Sequence, residues 1–308
     1  MAELLRRVNR LFSQRGFWAN PLRALAKRAW WRVHWVFSPH PILSRLIDGT
    51  PILLPRTGSA ALIFYQGYSE LDTMDFLRRF LRPGMTFLDI GAHLGEFTLT
   101  AAKLVSASGR VFAFEPVPEM FQILSKNILL NQAAHVIADP MVVLDRAGDV
   151  QLSVGAEPAE AFVSASPSSA STHGTSTTLF LQSITLDDYL SPFGNLRPDL
   201  IKIDVEGAEP LVFRGATRTL SADPGVAPTL WFEHTPATTR FGFDPGEVIQ
   251  LLADHGYWTF EYEVGGRLLP LRPDTRRRWR SHPNLVATKD ATSLARHLLE
   301  RRGGPLET

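Results

Sequence analysis

The most informative segment of this chain is an apolar run that ends in an acidic residue and a glycine turn. Residues 87–96 have the sequence FLDIGAHLGE, in which Asp89 precedes Gly91 and Gly95. Glycine adopts positive φ without steric cost and lets other groups approach the backbone closely. A helix that starts after such a turn directs its free N–H groups towards it. The segment therefore predicts a strand, a ligand-binding turn and a helix.

A second apolar run, residues 111–114, ends in Glu115. A carboxylate roughly 20 residues beyond a glycine turn suits the two hydroxyls of a ribose. Dinucleotide sites have G-x-G-x-x-G, whereas the spacing here is G-x-x-x-G with Asp89 ahead of it. Asp89 would repel a pyrophosphate and attract an ammonium or sulfonium group. This favours S-adenosylmethionine as the ligand; the alternative is a plain strand–turn–helix whose glycine only packs the helix.

Apolar strands alternate with helical patterns along most of the chain. Nearly continuous apolar strands predict a mostly parallel α/β sheet covered on both faces. Ligands bind beyond the carboxyl ends of such strands, where we expect Asp89, Glu115, Asp145, Asp204 and Glu233 to converge. We expect strands at residues 86–90, 110–115, 135–144, 199–203, 229–233, 257–263 and 284–288, with short strands within 51–66. We expect helices at residues 71–82, 95–105, 118–131, 207–220 and 245–255.

A second acidic turn follows the predicted strand at residues 199–203. Residues 201–209 have the sequence IKIDVEGAE, so three carboxylates, Asp204, Glu206 and Glu209, lie within six residues. Such clustering is costly unless a ligand, a metal or a cation is near. Lys202 should point to the opposite face of its strand from Ile201 and Ile203. It is therefore expected to pair with a carboxylate rather than to touch substrate.

Taken together, the two segments resemble the FkbM family of S-adenosylmethionine-dependent methyltransferases. The likeness covers roughly residues 50–290, and the N-terminal helices and the Ser/Thr-rich residues 164–178 fall outside it. The segment Tyr68, Ser69 and Glu70 also resembles the part of the family that precedes the first motif. The matching pieces are residues 87–92, 114–116, Asn127 and Asn131, 185–188, 201–209 and 214–216.

This resemblance implies a Rossmann-like class I methyltransferase fold: a seven-stranded, mostly parallel sheet with an antiparallel last strand, plus N-terminal helices. It implies methylation of a hydroxyl on a sugar, glycan or secondary metabolite. Asp89 and the glycine turn should hold the methionine end of the cofactor, and Glu115 the ribose. Asp145 is expected near the adenine amino group, the alternative being a turn-forming Asp. The predicted cofactor-binding residues are Glu70, Asp89, Gly91, Ala92, His93, Gly95, Phe97, Glu115, Pro116 and Asp145.

A hydroxyl acceptor needs a group that takes its proton, and a positioned base contributes about 10²–10⁴-fold. Asp204 and Glu206 are the first candidates, because they lie at the end of the fourth strand. Glu233 and His234 are the others, although a lone histidine at a strand end is more often structural. Mg²⁺ could bind oxygen ligands of this cluster, but Glu209 should lie one helical turn away, and no metal is predicted.

Composition sets broader limits on the 308-residue chain. Apolar residues make up 44% and charged residues 20%, which is typical of a soluble globular protein. Because there is no cysteine, disulfides, thiolate nucleophiles and cysteine-ligated zinc are excluded. No run of 18 apolar residues predicts a membrane span, and the N-terminus lacks the apolar core of a secretory signal. We therefore expect a cytoplasmic protein.

Charge is distributed unevenly along the chain. Residues 1–47 hold nine of the 32 basic residues and one of the 31 acids, which leaves 23 basic and 30 acidic residues in the remainder. Apolar residues at helical spacing, Leu22, Leu25, Ala29, Val33 and Val36, are flanked by tryptophans. Residues 1–47 could make a weak contact with a membrane surface, or form a pair of helices that cap the main domain with the tryptophans beneath. We favour the second interpretation.

We expect a basic helical segment at residues 1–48, the methyltransferase domain at 49–290 and a C-terminal helix and tail at 291–308. The predicted acceptor is a small molecule or a glycan, and nucleic acid is not expected, because the body is acidic and lacks a base-flipping motif. Oligomeric state is not predicted. Two alternatives remain: an NAD-dependent oxidoreductase, disfavoured by the missing G-x-G, and a non-catalytic peripheral membrane protein with the same fold.

Overall fold

The computed structural model describes residues 21–154, 161–163, 177–194, 196–271 and 284–300. These residues form two compact units, which divide between Ser69 and Glu70. The expected boundary between residues 48 and 49 concerns functional domains and stays a prediction. Three sequence features lie outside the described residues: the apolar residues at helical spacing within 4–12, most of the Ser/Thr-rich segment, and residues 276–280, which have the sequence RRRWR.

The described part of the first unit, residues 21–69, contains two helices and a two-stranded antiparallel sheet. The helix expected from the spacing of residues 22–36 is confirmed. The strands expected within residues 51–66 are only partly right, because residues 58–66 are helical. Thr57 caps that helix by accepting a hydrogen bond from the Ala60 N–H, and Gly67, at φ 87°, ends it. The elements are α1 (Pro21–Phe37), β1 (Ile42–Arg45), β2 (Pro51–Leu54) and α2 (Gly58–Gln66).

The second unit is built on an eight-stranded sheet. Its strands are β3 (Thr86–Ile90), β4 (Arg110–Phe114), β5 (Val136–Asp139), β10 (Leu200–Ile203), β11 (Thr229–Glu233), β12 (Trp258–Glu263), β13 (Arg267–Pro270) and β14 (Asn284–Thr288). Their order is β13-β12-β14-β11-β10-β3-β4-β5. The five strands from β11 to β5 are parallel, and β14 is antiparallel to both its neighbours. The mostly parallel sheet with an antiparallel last strand is confirmed, and β13 adds an eighth strand at its edge.

A smaller sheet was not expected from the sequence. It contains β6 (Val142–Leu144), β7 (Gly148–Val154), β8 (Ala161–Val163) and β9 (Thr177–Thr185), in the order β6-β9-β7-β8. The single strand predicted over residues 135–144 is therefore wrong: its first part is β5 and its second part is β6. Pro140 lies between them, and proline has no N–H with which to continue a ladder.

Helices cover both faces of the large sheet. On one face Phe213 and Val248 pack with Phe232, and on the other Phe76 stacks on Trp231 at 4.6 Å between ring centroids. The helix predicted over residues 207–220 is broken at Gly215, where a Cβ would lie 2.0 Å from the Leu144 carbonyl oxygen. The helices are α3 (Leu71–Phe80), α4 (Glu96–Val105), α5 (Pro118–Leu130), α6 (Leu186–Leu190), α7 (Glu209–Arg214), α8 (Thr217–Leu220), α9 (Pro245–Asp254) and α10 (Ala291–Glu300). Within the described ranges no helix is both long and apolar enough to cross a bilayer.

Candidate active site

The carboxyl ends of the parallel strands bring acidic residues together at one edge of the large sheet. Asp89 lies one residue before the end of β3, Glu115 follows β4, Asp204 follows β10 and Glu233 ends β11. β14 runs in the opposite direction, so its first residue, Asn284, lies opposite Glu233 in register. The structure thus brings together four of the five acidic residues expected to converge.

The turn after β3 is held between the ends of the two neighbouring strands. The N–H groups of Gly91 and Ala92 both donate to the carbonyl oxygen of Phe114, at 3.0 and 2.9 Å. Gly91 has φ 87°, and a Cβ there would lie 1.9 Å from the Asp204 carbonyl oxygen. Only glycine therefore allows the turn to lie this close to the end of β10.

The second glycine of the motif starts α4. Gly95 has φ 92° and is the N-cap residue of that helix. A Cβ at Gly95 would lie 2.7 Å from Leu124 Cδ1, so the absence of a side chain lets α4 approach α5. Asn127 on α5 donates from Nδ2 to the Leu94 carbonyl oxygen at 2.8 Å and fixes the turn from the other side. The polar residue of the predicted motif thus orders the loop.

Glu115 links the turns that follow β3 and β4. One of its carboxylate oxygens accepts a hydrogen bond from the His93 N–H at 2.7 Å, and the other accepts one from the Val117 N–H at 2.9 Å. Burial raises the pKa of Glu115 to about 7, and the two backbone hydrogen bonds oppose this rise. Because each carboxylate oxygen has two lone pairs, both retain acceptor capacity. The expected contact with a ribose stays a prediction.

Lys202 neutralises part of the acidic cluster. It lies beside Asp89 in the register of β10 and β3, with its Nζ 3.4 Å from Asp89 Oδ1 and 3.1 Å from Asp204 Oδ2. Burial lowers the pKa of Lys202, but the surrounding carboxylates, led by Asp204, raise it above its ordinary value. The expected pairing of Lys202 with a carboxylate is confirmed. Thr98 donates to Asp89 Oδ2 at 2.7 Å, while the buried Oδ1 accepts no hydrogen bond from the described residues.

The acidic turn after β10 is held by its own last carboxylate. Glu209 accepts hydrogen bonds from the N–H groups of Val205 and Gly207, at 3.2 and 3.1 Å. Burial raises the pKa of Glu209 to about 7, against the effect of these hydrogen bonds. Glu206 has φ 55°, a left-handed conformation that is uncommon outside glycine. Glu209 therefore stabilises the turn that carries Asp204 and Glu206.

Glu233 has a strongly perturbed carboxyl group at this edge. Burial raises its pKa to about 9, and the negative charges of Asp204, Glu206, Glu209 and Glu70 add to the effect in that order. Its Oε2 is buried and has no hydrogen-bond partner among the described residues. A carboxyl group with this pKa is protonated at neutral pH and donates a hydrogen bond rather than only accepting one.

Glu70 joins the cluster from the start of α3. Its Oε2 accepts hydrogen bonds from Thr73 Oγ1 at 2.7 Å and from Asn284 Nδ2 at 3.0 Å. Burial raises the pKa of Glu70, and the charge of Asp204 raises it further. Asn284 was not expected from the sequence. Its signal in the sequence is a polar residue directly before the apolar run at residues 285–287.

The remaining predicted site residues lie at the same edge, with one exception treated below. His234 follows Glu233 and is only 3% exposed; burial lowers its pKa to about 4, which leaves it neutral near pH 7. The Phe97 ring, on α4, has its centroid 5.2 Å from Lys202 Nζ. Pro116 is partly buried between Glu115 and Val117. Whether these residues bind cofactor or substrate stays a prediction.

Asp145 is the exception, because the strand that precedes it belongs to the smaller sheet. It was expected at the end of the third strand of the large sheet. That strand is β5, which ends at Asp139, and the Asp139 carboxylate accepts a hydrogen bond from the Tyr189 hydroxyl. Asp145 instead follows β6 in the smaller sheet, near Gly215. The end of the third strand is therefore occupied by Asp139, and the expected contact of Asp145 with adenine stays a prediction.

A comparison with known families identifies the chain. The model of the methyltransferase FkbM domain matches residues 89–258, which is more than half of the sequence. The chain belongs to the FkbM methyltransferase family. It is accordingly an S-adenosylmethionine-dependent methyltransferase of the FkbM type, rather than the oxidoreductase considered as an alternative.

Individual relatives of this FkbM methyltransferase are distant. It is 28% identical to hexuronic acid methyltransferase AglP from Haloferax volcanii over 67% of this chain and 81% of that protein. The solved structure of methyltransferase FkbM from Methylobacillus flagellatus KT is 16% identical and covers 76% of this chain and 56% of that one, with a TM-score of 0.41. Precorrin-6y C5,15-methyltransferase from Geobacter metallireducens GS-15 is 15% identical over 72% and 90%, with a TM-score of 0.39.

The chemistry of the site of this FkbM methyltransferase suits a cation. Lys202 contacts the carboxyl groups of Asp89 and Asp204, and the same edge carries those of Glu70, Glu115, Glu206, Glu209 and Glu233. Three of them, on Asp89, Glu209 and Glu233, have a buried oxygen that accepts no hydrogen bond from the described residues. The carboxylate of Asp89 suits an ammonium or sulfonium group. Within the described ranges no group of three or more His, Asp or Glu side chains has the arrangement of a metal site.

Proposed function

We propose that this protein transfers a methyl group from S-adenosylmethionine to a hydroxyl oxygen of a sugar, glycan or secondary metabolite. The observation that carries the proposal is the cluster of Asp204, Glu206 and Glu233 at the ends of adjacent strands, where Glu233 has a pKa raised to about 9. Such groups accept and donate protons at a hydroxyl. The similarity to a protein named hexuronic acid methyltransferase supports a sugar acceptor.

The residues that would hold S-adenosylmethionine are those of the Gly91 turn with Glu115, Asp89 and Glu70. The Asp89 carboxylate supports this assignment. Its Oδ1 accepts no hydrogen bond from the described residues, although Lys202 Nζ lies 3.4 Å away, and it offers a negative charge to the ammonium and sulfonium of the cofactor. Glu115 offers two acceptor oxygens for hydroxyl donors. Bound S-adenosylmethionine supplies a methyl group on a positively charged sulfur. The set proposed for the cofactor is Glu70, Asp89, Gly91, Ala92, His93, Gly95, Phe97, Glu115 and Pro116.

Asp204 is the first candidate for the group that takes the acceptor's proton. Its side chain is 31% exposed, so an acceptor reaches it more readily than it reaches the buried His234. Lys202 donates to one of its oxygens and leaves the other available. Glu206, on the same turn, is the second candidate. Glu233, protonated at neutral pH, would hold the acceptor by donating a hydrogen bond.

The test separates turnover from cofactor affinity. Transfer of radiolabelled methyl from S-adenosylmethionine would be measured with a panel of neutral sugars, uronic acids and small alcohols. We expect Asp204→Asn and Glu206→Gln to lower turnover by about 10²-fold or more while changing the affinity for S-adenosylhomocysteine little. Unchanged turnover in both variants on an accepted hydroxyl substrate would remove them from the mechanism.

The ribose assignment has its own test. We expect Glu115→Ala to weaken the binding of S-adenosylhomocysteine in isothermal titration, whereas Glu119→Ala, at an exposed position on α5, should leave it unchanged. Glu115 also holds two backbone N–H groups, so the free energy of unfolding of both variants would be measured alongside. Full affinity in a folded Glu115→Ala variant would contradict the assignment.

A further inference from the structure

Helix α1 packs on α2 through its tryptophans and basic residues. Trp31 is buried, and its ring centroid lies 5.4 Å from that of Phe64. Lys27 Nζ donates to the carbonyl oxygens of Phe64 and Tyr65, each at 3.2 Å, and Arg28 lies over the Tyr65 ring at 4.6 Å. The inner face of α1 is therefore formed by an aromatic ring and two cationic side chains.

The aliphatic residues of α1 point the other way. Leu22 is 80% exposed, Leu25 49%, Val33 54% and Val36 76%, and Ala29 between them is exposed as well. We call Leu22, Leu25, Ala29, Val33 and Val36 the outer stripe. At about 100° per residue they fall on one side of the helix, opposite Trp31. This reverses the usual arrangement, in which the aliphatic face of a surface helix is buried.

Arginines lie on both sides of the outer stripe. By the same rotation, Arg32 lies about 20° beyond the stripe on one side and Arg23 about 80° beyond it on the other, and both are exposed. Trp30, 49% exposed, lies next to the stripe on the side of Arg23. An apolar stripe bordered by arginine and tryptophan is typical of helices that lie in the interface of a membrane.

The positive charge of residues 1–47 indicates what kind of surface contacts the outer stripe. Residues 21–47 contain five basic residues and no acidic one, and residues 1–47 as a whole contain nine and one. A second copy that presented the same stripe would bring these positive charges together, which is unfavourable. An anionic surface with an apolar layer beneath it is complementary to both the basic charge of this region and the stripe.

We propose that α1 docks this protein onto an anionic lipid bilayer, with the outer stripe at the boundary between headgroups and acyl chains. Arg23 and Arg32 then lie at the level of the lipid phosphates. The helix lies in the plane of the surface and does not cross it. The proposal is independent of the acceptor and of the catalytic residues assigned above.

Vesicle sedimentation of the full-length chain tests the proposal. We expect the wild type to sediment with phosphatidylcholine vesicles that contain phosphatidylserine, to sediment little with phosphatidylcholine alone, and to release as salt screens the charges. Leu25→Asp/Val33→Asp should lower the partition coefficient about tenfold or more. Arg23→Gln/Arg32→Gln should lower it about fivefold for each arginine.

The matched control places the same aspartates on exposed leucines elsewhere. Leu129→Asp/Leu299→Asp changes two side chains that are 76% and 61% exposed on α5 and α10, and it should bind vesicles as the wild type does. Circular dichroism and thermal melting would establish that every variant is folded. The proposal fails if the wild type ignores anionic vesicles, or if the stripe variant sediments with them equally. It also fails if the stripe variant merely changes a dimer into a monomer.

Discussion

Lys202 determines whether the acidic site can exist in a folded chain. Its side chain is 2% exposed and that of Asp89 is fully buried. Removing one partner of a buried ion pair leaves an uncompensated charge, which costs about 3–5 kcal/mol. We therefore expect Lys202→Met to lower the free energy of unfolding by about that amount in urea titration.

Two further variants separate charge from packing in that experiment. Lys126→Met, at an exposed position on α5, should change the free energy of unfolding by less than about 0.5 kcal/mol. Adding Asp89→Asn to Lys202→Met should recover part of the loss, because the buried negative charge is then absent. If the double variant is less stable than Lys202→Met, the uncompensated negative charge of Asp89 does not explain the loss in the free energy of unfolding.

Glu233 should make stability depend on pH over an unusually wide range. Its pKa rises from 4.5 in the unfolded chain to about 9 in the folded one. Between these values the unfolded carboxyl loses its proton while the folded one keeps it, so the free energy of unfolding falls as pH rises. Glu233→Gln removes this dependence. In the absence of cofactor, we expect the free energy of unfolding of the variant to exceed that of the wild type by an amount that grows up to about pH 9.

Glu209→Gln is the comparison for that measurement. The pKa of Glu209 is raised to about 7. The difference in the free energy of unfolding between Glu209→Gln and the wild type should therefore level off near pH 7. Glu209 Oε1 accepts both backbone hydrogen bonds, and Oε2 has no partner among the described residues, so an amide preserves the turn. Thermal melts of the three proteins across this pH range would give the two curves. Identical curves for the two variants would show that Glu233 is not specially perturbed.

At the scale of single residues, the sequence predicts which side chains follow a strand better than it predicts what they contact. Asp89, Glu115, Asp204 and Glu233 meet because carboxyl ends of parallel strands share an edge, which needs only the strand order. Glu209 looked like part of an open cluster, yet it closes its own turn through hydrogen bonds to Val205 and Gly207. Such contacts depend on backbone geometry that spacing does not reveal.

Among the elements, the turn between β3 and α4 is the most sharply determined. Gly91→Ala combines positive φ with a Cβ 1.9 Å from a backbone oxygen. We expect a loss of about 2–5 kcal/mol in the free energy of unfolding and weaker binding of S-adenosylhomocysteine. Gly84→Ala is the matched control, because Gly84 has φ 89° but its Cβ would meet only Ser108 Oγ at 4.0 Å. Gly84→Ala should lower the free energy of unfolding by about 1–2 kcal/mol. Equal losses in the two variants would mean that the close contact between the new Cβ at position 91 and the Asp204 carbonyl oxygen adds nothing to the loss.

The elements that were predicted correctly are those whose limits depend on local signals. β3, β11 and β14 begin and end where expected, since each is an apolar run between polar or glycine residues. The run over residues 135–144 was misjudged, because its apolar pattern continues past Pro140 although the ladder does not. Residues 58–66 are rich in apolar residues that suit either state, and the caps Thr57 and Gly67 were the signal that a helix forms. The pairing of β7 with β9 joins residues about 30 positions apart, which local pattern does not show.

For the whole molecule, charge is distributed unevenly along the chain. Residues 1–47 are basic, whereas the remaining chain carries 30 acidic and 23 basic residues. The acidic groups of the site belong to that remainder, and a negative field concentrates cationic ligands. The two proposed contacts, with a cationic cofactor and with an anionic surface, thus use regions of opposite sign.

The negative charge of the site predicts different salt dependence for two ligands of nearly identical shape. S-adenosylmethionine carries a sulfonium, whereas S-adenosylhomocysteine has a neutral thioether. Raising salt from about 0.1 M to about 1 M shortens the Debye length from about 10 Å to about 3 Å. We expect the Kd of S-adenosylmethionine to rise about two- to fivefold over this range, and that of S-adenosylhomocysteine to change less. Isothermal titration of both ligands, repeated with Asp204→Asn, would measure the difference and its reduction when one negative charge is removed. Equal salt dependence for the two ligands would mean that the carboxylates do not face the sulfur.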